Sequence, residues 1–396
     1  MTLPGVTAGP PASSYDVVIV GAGVQGLATA YELARRGVTN VAVVDRSWPG
    51  GGASGRNGEM IRSAFSSREW TQLFELSLKR FAELSAELDF NILFSPSGYL
   101  VLASTEEEVA GQDAIAAAQA AYGVETEVLG AAQVRKLVPH LNPDLALGGI
   151  LQRKGGFAHH DAVVWGYLRA AARAGVSVFS GIDVLGVTTA GGRVTGVRTS
   201  AGDIAADVVV NAAGTTSDDL NQTVGVELPL IKARLEMIVT EPVKPFLSCA
   251  LASPHMLGYC HQTARGEFVG GTERPGADET DSLNTTYHML RDTATKWVKL
   301  FPSLAGVRIL RSWAGTVSQT PDFAPVLGEA PGVPGYWLSV GWIYGFMGAP
   351  GAAQLLAEAI TTGRVPDTMA PFGAQRLLDG RLIEENTLVV ISEEAS

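Results

Sequence analysis

Gly21, Gly23 and Gly26 stand at GxGxxG spacing between an apolar run, Asp16 to Val20, and an amphipathic stretch carrying Leu27, Ala30, Tyr31 and Ala34. That arrangement suits a pyrophosphate. Gly21 allows the tight turn, Gly23 lets backbone approach the phosphates, Gly26 permits close packing of helix on strand, and the helix N-terminus, opened by Val24 and Gln25, offers unpaired N–H donors. A second apolar run, Val41 to Val44, ends in Asp45 and Arg46, about 20 residues beyond the last glycine, where a carboxylate accepts hydrogen bonds from a ribose diol. Glycine turns between strand and helix also occur with no ligand. Here strand, turn, helix, second strand and terminal acid fall in register over residues 16–45, which reads as dinucleotide binding.

A second glycine-rich loop spans residues 49–65, PGGGASGRNGEMIRSAF. It is too long for a plain connector, and loops of this kind are functional or disordered. Gly52, Ala53, Ser54, Arg56, Asn57 and Gly58 therefore join the candidate nucleotide contacts, with Arg56 facing phosphate. The loop runs on into Arg62, whose guanidinium can hold a carboxylate bidentately; surface pairing or helix capping is its plainer use. Tyr259 and His261 alternate on the run GYCHQT and so share one face of a strand, either as cavity lining or as cross-strand packing. Tyr344 lies in a loop that opens a helix at Gly345, Phe346 and Met347, a second polar-ligand position.

These residues need elements to carry them. The spacing predicts helices over 70–88, 105–122, 162–174 and 285–299, and strands at 176–179, 237–240 and 267–271. A three-strand meander has turns at Gly191-Gly192 and Ala201-Gly202. The apolar strand after it ends in Asn211-Ala212-Ala213-Gly214, small residues that bring backbone close to a ligand. The run FSPSGYLVLAS reads as a hairpin or an edge strand. The predicted fold class is α/β with an α+β substrate lobe: a discontinuous Rossmann-type domain (15–90, 150–222 and 318–375) with an inserted antiparallel β-sheet substrate domain (91–149 and 223–317). A flexible leader (1–14) and a C-terminal tail (376–396) complete it.

With 396 residues the chain can bury two sizeable cores. A net charge of −11 argues against nucleic acid or an anionic membrane surface as partner. Cys249 and Cys260 lack the paired spacing of a zinc or iron–sulfur site. The N-terminal segment has neither the basic start nor the apolar core of a secretory signal, and no stretch of 18 apolar residues occurs, so membrane insertion is not expected and a cytoplasmic location is.

Taken together, GAGVQG (21–26), GRNGEMIRS (55–63), His160-Asp161 before a helix, GFMGAPG (345–351) and the tail PFGAQRLLDGRLIEE (371–385) resemble the FAD-dependent D-amino-acid oxidase and dehydrogenase superfamily. Within it the likeness is to β subunits of heterotetrameric sarcosine oxidases and of the related opine and hydroxyproline dehydrogenases. It covers about residues 15–385. The resemblance implies that Gly21, Gly23, Gly26 and Asp45 bind the adenosine diphosphate half of non-covalent FAD and that Val184 makes a backbone contact to adenine. It further implies Ala213 and Gly214 beneath the cofactor, and Gly345, Phe346 and Met347 at the isoalloxazine edge. It also implies an α subunit as partner, and FMN on His160 at the subunit interface; a helix cap is the plainer use of that histidine.

The implied chemistry is oxidation of the C–N bond of an amino acid or secondary amine, sarcosine-, proline-, hydroxyproline- or opine-like, by hydride transfer to flavin N5. The protein's share is to orient a neutral amine and neutralise its carboxylate. Arg62 is the candidate carboxylate anchor, and Tyr259, His261, Tyr344 and Met347 are candidates for the substrate's surroundings, with His261 able to tune amine protonation. Sarcosine-type members carry lysine where Met347 stands, which leaves open an opine oxidase acting on N-carboxyalkyl amino acids. A subunit that binds FAD without catalysis is a further alternative, and a nicotinamide enzyme suits the long second loop less well.

Overall fold

The computed structural model describes residues 3–272, 282–385 and 387. Val17–Val20 is four consecutive aliphatic residues, all buried, as a strand covered on both faces requires. It lies inside a six-stranded sheet ordered 326–329, 336–340, 208–211, 17–20, 41–45 and 177–180, parallel except for the first pair. Alternate side chains then serve two layers. Val17 and Ile19 pack with residues of the helices Val24–Arg35, Arg68–Glu87, His160–Arg173 and Gly345–Thr362. Val18 and Val20 pack with Val187, Val194 and Ile204 of the three-stranded meander over 184–205.

The second layer is an eight-stranded sheet ordered 309–319, 231–240, 268–272, 258–262, 250–253, 99–103, 148–152 and 127–130. One face is sealed by Trp297, Leu300 and Phe301, from the helix Tyr287–Leu300 and the residue after it, and by Val134 and Val138 at the end near Ala131–Leu137. The other face looks back toward the six-stranded sheet. The mixed α/β architecture agrees with the sequence reading, and among the described residues no helix is long and apolar enough to cross a membrane.

Three local expectations change. Tyr99–Ala103 is not at an edge: it pairs parallel with 250–253 and antiparallel with 148–152, because its apolar residues are buried from both sides. Residues 150–152, placed with the nucleotide segments in the sequence reading, lie in the strand Gly148–Gln152, which pairs with 99–103 and 127–130 instead. The leader is also not loose over the described residues 3–14. Thr7 N–H donates to the Val178 carbonyl at 2.7 Å, Val178 N–H donates to Thr7 Oγ1 at 2.9 Å, and Ala205 N–H donates to the Ser13 carbonyl at 2.9 Å. Backbone groups on the edge strands of the six-stranded sheet and of the meander thereby find partners they would otherwise lack.

Candidate active site

A cavity of about 780 Å³ runs between the two sheets. Its walls include Asp45, Arg46 and Val184, then Gly21, Gly23, Val24, Gly52, Ala53, Ser54, Arg56, Asn57, Gly58, Ala213 and Gly214, and also Arg62, Tyr99, Tyr259, Tyr344 and Gly345 to Met347. Segments remote in sequence are thus gathered on one trough.

The glycine turn works by contact. Gly21 has φ +109°, and a β-carbon there would sit 2.3 Å from the Ala212 carbonyl oxygen. Gly26 does not line the cavity; a β-carbon on it would fall 2.0 Å from the Gly21 carbonyl oxygen, so it sets how closely helix meets strand. Ser54 Oγ accepts from Val24 N–H at 2.9 Å and caps the first turn of the helix from another loop. Asp45 accepts from Ala22 N–H and Ser47 N–H, both at 2.7 Å. A carboxylate has about four acceptor positions, so Asp45 keeps capacity for a diol.

These residues fit an extended dinucleotide with an anionic centre. Arg56, which lines the trough, has a buried Nε with no hydrogen-bond partner among the described residues, while its carbonyl accepts from Trp313 Nε1 at 3.1 Å. A buried guanidinium donor calls for an anion. At the far end the helix Gly345–Thr362 points its N-terminus at the trough. Gln25 bridges the two ends of the chain there, donating from Nε2 to the Gly345 carbonyl at 2.7 Å and accepting at Oε1 from Ser339 Oγ at 3.1 Å.

Arg62 reaches the trough although it is only 2% exposed. Its guanidinium carbon lies 4.0 Å from the Phe65 ring centroid and 5.5 Å from that of Tyr99. Nη1 donates to the Ala64 carbonyl at 2.7 Å and Nη2 to the Thr387 carbonyl at 3.1 Å. With five N–H donors, the group has others left to offer. Gln152, which nothing in its local sequence marks, sets this loop: Oε1 accepts from Ser63 N–H at 2.9 Å and Nε2 donates to Ser63 Oγ at 2.6 Å.

Tyr259 and His261 part company. Tyr259 lines the trough, close enough to the loop that a β-carbon on Gly58 would lie 2.4 Å from its ring. His261 is wholly buried behind it, because Phe157 stacks on its ring at 4.2 Å and the short strand pair Met60–Ile61 and Gly156–Phe157 crosses that stretch. His261 therefore does not line the trough, and its Nε2 lies 3.2 Å from Glu59 Oε2. His160, the first residue of its helix, also stands outside, with Nδ1 2.8 Å from Glu59 Oε1. Burial pushes the Glu59 carboxyl up, and hydrogen bonds and charge from His160 and His261 more than reverse this, holding it well below the usual carboxylate range. Glu59 has φ +65°. No sequence signal marks it, and the same holds for Lys232, Tyr99 and Trp342, which also line the trough.

The family model for FAD dependent oxidoreductases, DAO, matches residues 16–359. The chain is 37% identical over 382 residues to sarcosine oxidase subunit beta of Rhodobacter capsulatus, covering 95% of this chain and 92% of that protein. It is 36% identical over 391 residues to sarcosine oxidase subunit beta of an Arthrobacter species, covering 96% of each. Among solved structures, the L-proline dehydrogenase of P. horikoshii superposes with a TM-score of 0.90 at 27% identity, covering 94% of this chain and all of the other. A fingerprint seated at the head of a continuous trough, and relatives matching end to end, lead to one conclusion: this chain belongs to the FAD dependent oxidoreductase family.

Proposed function

We propose that this protein oxidises the C–N bond of an amino acid or secondary amine, working as the catalytic subunit of a hetero-oligomer. The observation that carries the reading is the continuity of the trough, from the dinucleotide fingerprint at Gly21 to a cationic and aromatic end at Arg62, Tyr259 and Tyr344. FAD, when bound, supplies the hydride acceptor. The residues around it do the positioning. Arg62, held between two rings and two carbonyls, is set to receive the substrate carboxylate, and a guanidinium fixed in this way needs no reordering when the anion arrives. Tyr259 and Tyr344 give the amine an aromatic wall, and the near-complete burial of Met347 keeps water from that end. The β-subunit names of the sarcosine oxidase relatives support a partner subunit.

A second reading, with bulkier N-carboxyalkyl substrates, rests on Met347, which puts an apolar side chain where sarcosine-type members carry a cation. Anaerobic reduction of the bound flavin by a panel of sarcosine, proline, hydroxyproline and opines tests both. Bleaching by the first three supports the main reading, bleaching by opines alone supports the second, and no bleaching by any amine overturns both.

A further inference from the structure

The tail PFGAQRLLDGRLIEE (371–385), to which the proposed chemistry assigns no task, ends on Glu385. It is stitched to the body twice. Arg376 Nε and Ile383 N–H both donate to Asp322 Oδ2, at 3.0 and 3.1 Å, and the residues that follow reach the loop carrying Arg62. There the Glu385 carboxylate collects donors from two segments. Oε2 accepts from Ser67 N–H at 2.7 Å and Ser67 Oγ at 2.8 Å, while Oε1 accepts from Ser66 N–H at 2.9 Å, Ser66 Oγ at 2.7 Å, Thr387 N–H at 2.9 Å and Thr387 Oγ1. Burial pushes the Glu385 carboxyl up, and the hydrogen bonds from Thr387, Ser66 and Ser67 more than reverse this, so it stands as an acceptor on both oxygens near neutral pH.

Thr387 gives its N–H and hydroxyl to Glu385, and its carbonyl accepts from Arg62 Nη2 at 3.1 Å. Of the two carbonyls that hold the guanidinium, that of Ala64 belongs to the same loop as Arg62, and that of Thr387 fixes the fork from outside it. We propose that Glu385 is a positioning residue for substrate binding: by holding Ser66, Ser67 and Thr387 on one carboxylate it orients the Thr387 carbonyl and, through it, the Arg62 guanidinium that receives the substrate carboxylate. The proposal rests on Arg62 as that anchor.

A plainer task for Glu385 is to cap the helix Arg68–Glu87, whose N-terminus it faces with a negative charge. That task needs only the donors of Ser66 and Ser67. The two donors from Thr387 add nothing to a helix cap, and they set the direction of the one carbonyl that reaches the anchor. A guanidinium held by Ala64 alone would keep its place in the loop and lose its aim, so an arriving carboxylate would have to order it at a cost in affinity. Glu385 is therefore a long-range counterpart of Gln152, which sets the same loop from Ser63.

The test uses the flavin-loaded full chain titrated with propionate, a carboxylate without an amine, and followed by the perturbation of flavin absorbance. Glu385→Ala and Glu385→Gln should each bind propionate about tenfold more weakly, the effect of one misdirected hydrogen bond to a charged group. Glu385→Asp should recover part of the loss, and Glu384→Ala, at an exposed neighbour, should bind as wild type. In an Arg62→Lys background the loss from Glu385→Ala should all but vanish, because a residue that acts through Arg62 then has no fork left to orient. If Glu385→Ala retains no flavin, Ser67→Ala, which removes a single donor, should show the same loss at smaller size. Equal affinity in wild type and Glu385→Gln, or a Glu385→Ala loss that adds in full to that of Arg62→Lys, would overturn the proposal and leave Arg62 as the anchor. Equal affinity in wild type and Arg62→Lys, or no binding by wild type, would overturn the reading of Arg62 and the proposal with it.

Discussion

Gln25 Nε2 donates to the carbonyl oxygen of Gly345 at 2.7 Å, across a separation of 320 residues. One amide thereby fastens the fingerprint helix to the helix that closes the far end of the trough. Gln25→Leu should leave that partly buried carbonyl, and the Ser339 hydroxyl, without this partner, at a cost of about 1–3 kcal/mol. Thermal unfolding should show a midpoint several degrees lower, and excess FAD should recover part of the difference.

Gly21→Ala should yield protein that takes up little or no flavin. The added methyl meets the Ala212 carbonyl at 2.3 Å in a backbone conformation that side chains avoid. Visible flavin absorbance per polypeptide is the measurement, and a normal ratio would contradict the account of this turn.

Arg62→Lys keeps the charge and loses the fork. With a carboxylate-bearing substrate, kcat/KM should fall on the order of 10²-fold at unchanged flavin content. With an amine lacking the carboxylate, wild type and variant should converge. Equal losses on both substrates would remove Arg62 from carboxylate recognition.

Asp322 and Arg376 set a pH dependence. Both are buried, with Arg376 Nε 3.0 Å from Oδ2 and Nη2 3.1 Å from Oδ1. Burial pushes the Asp322 carboxyl up, and the guanidinium of Arg376 together with hydrogen bonds from Ile383 N–H and the Thr320 hydroxyl more than reverses this, leaving it below its ordinary 3.8. A depressed folded-state value means a stabilising contribution present above about 3.8 and lost as the pH falls further. Asp322→Asn should therefore cost about 3–5 kcal/mol near neutral pH, because it strands a buried cation, and progressively less in acid. Denaturant titrations at neutral and acid pH give the comparison.

Cys249 and Cys260 are both buried and free. Burial pushes the Cys249 thiol up to about 12 and raises that of Cys260 as well. Neither forms appreciable thiolate near neutrality, so thiol reagents should label the folded protein negligibly and both sites after unfolding.

What could be read from the chain without coordinates was local. Gly21, Gly23, Gly26 and Asp45 announce themselves because turn, helix dipole and strand end lie within one supersecondary unit. Glu59 and Gln152 act across long loops, and nothing nearby distinguishes them from surface polar residues. Glu59 meets His160 101 positions later, and Gln152 holds Ser63 from 89 positions away. The shared face of Tyr259 and His261 followed from strand alternation. The burial of His261 depended on Phe157, from a different strand, and no period in the sequence reveals it.

The carboxylate of Glu385 accepts from Ser66 N–H at 2.9 Å and Ser67 N–H at 2.7 Å, ahead of the helix Arg68–Glu87, and the Thr387 carbonyl steadies Arg62. During synthesis, then, the loop bearing Arg62 emerges early but cannot be locked until more than 300 further residues have followed it. A chain still being made on the ribosome therefore lacks the partners that hold Arg62, Ser66 and Ser67, and this wall of the trough is fixed only after its C-terminal segment has emerged.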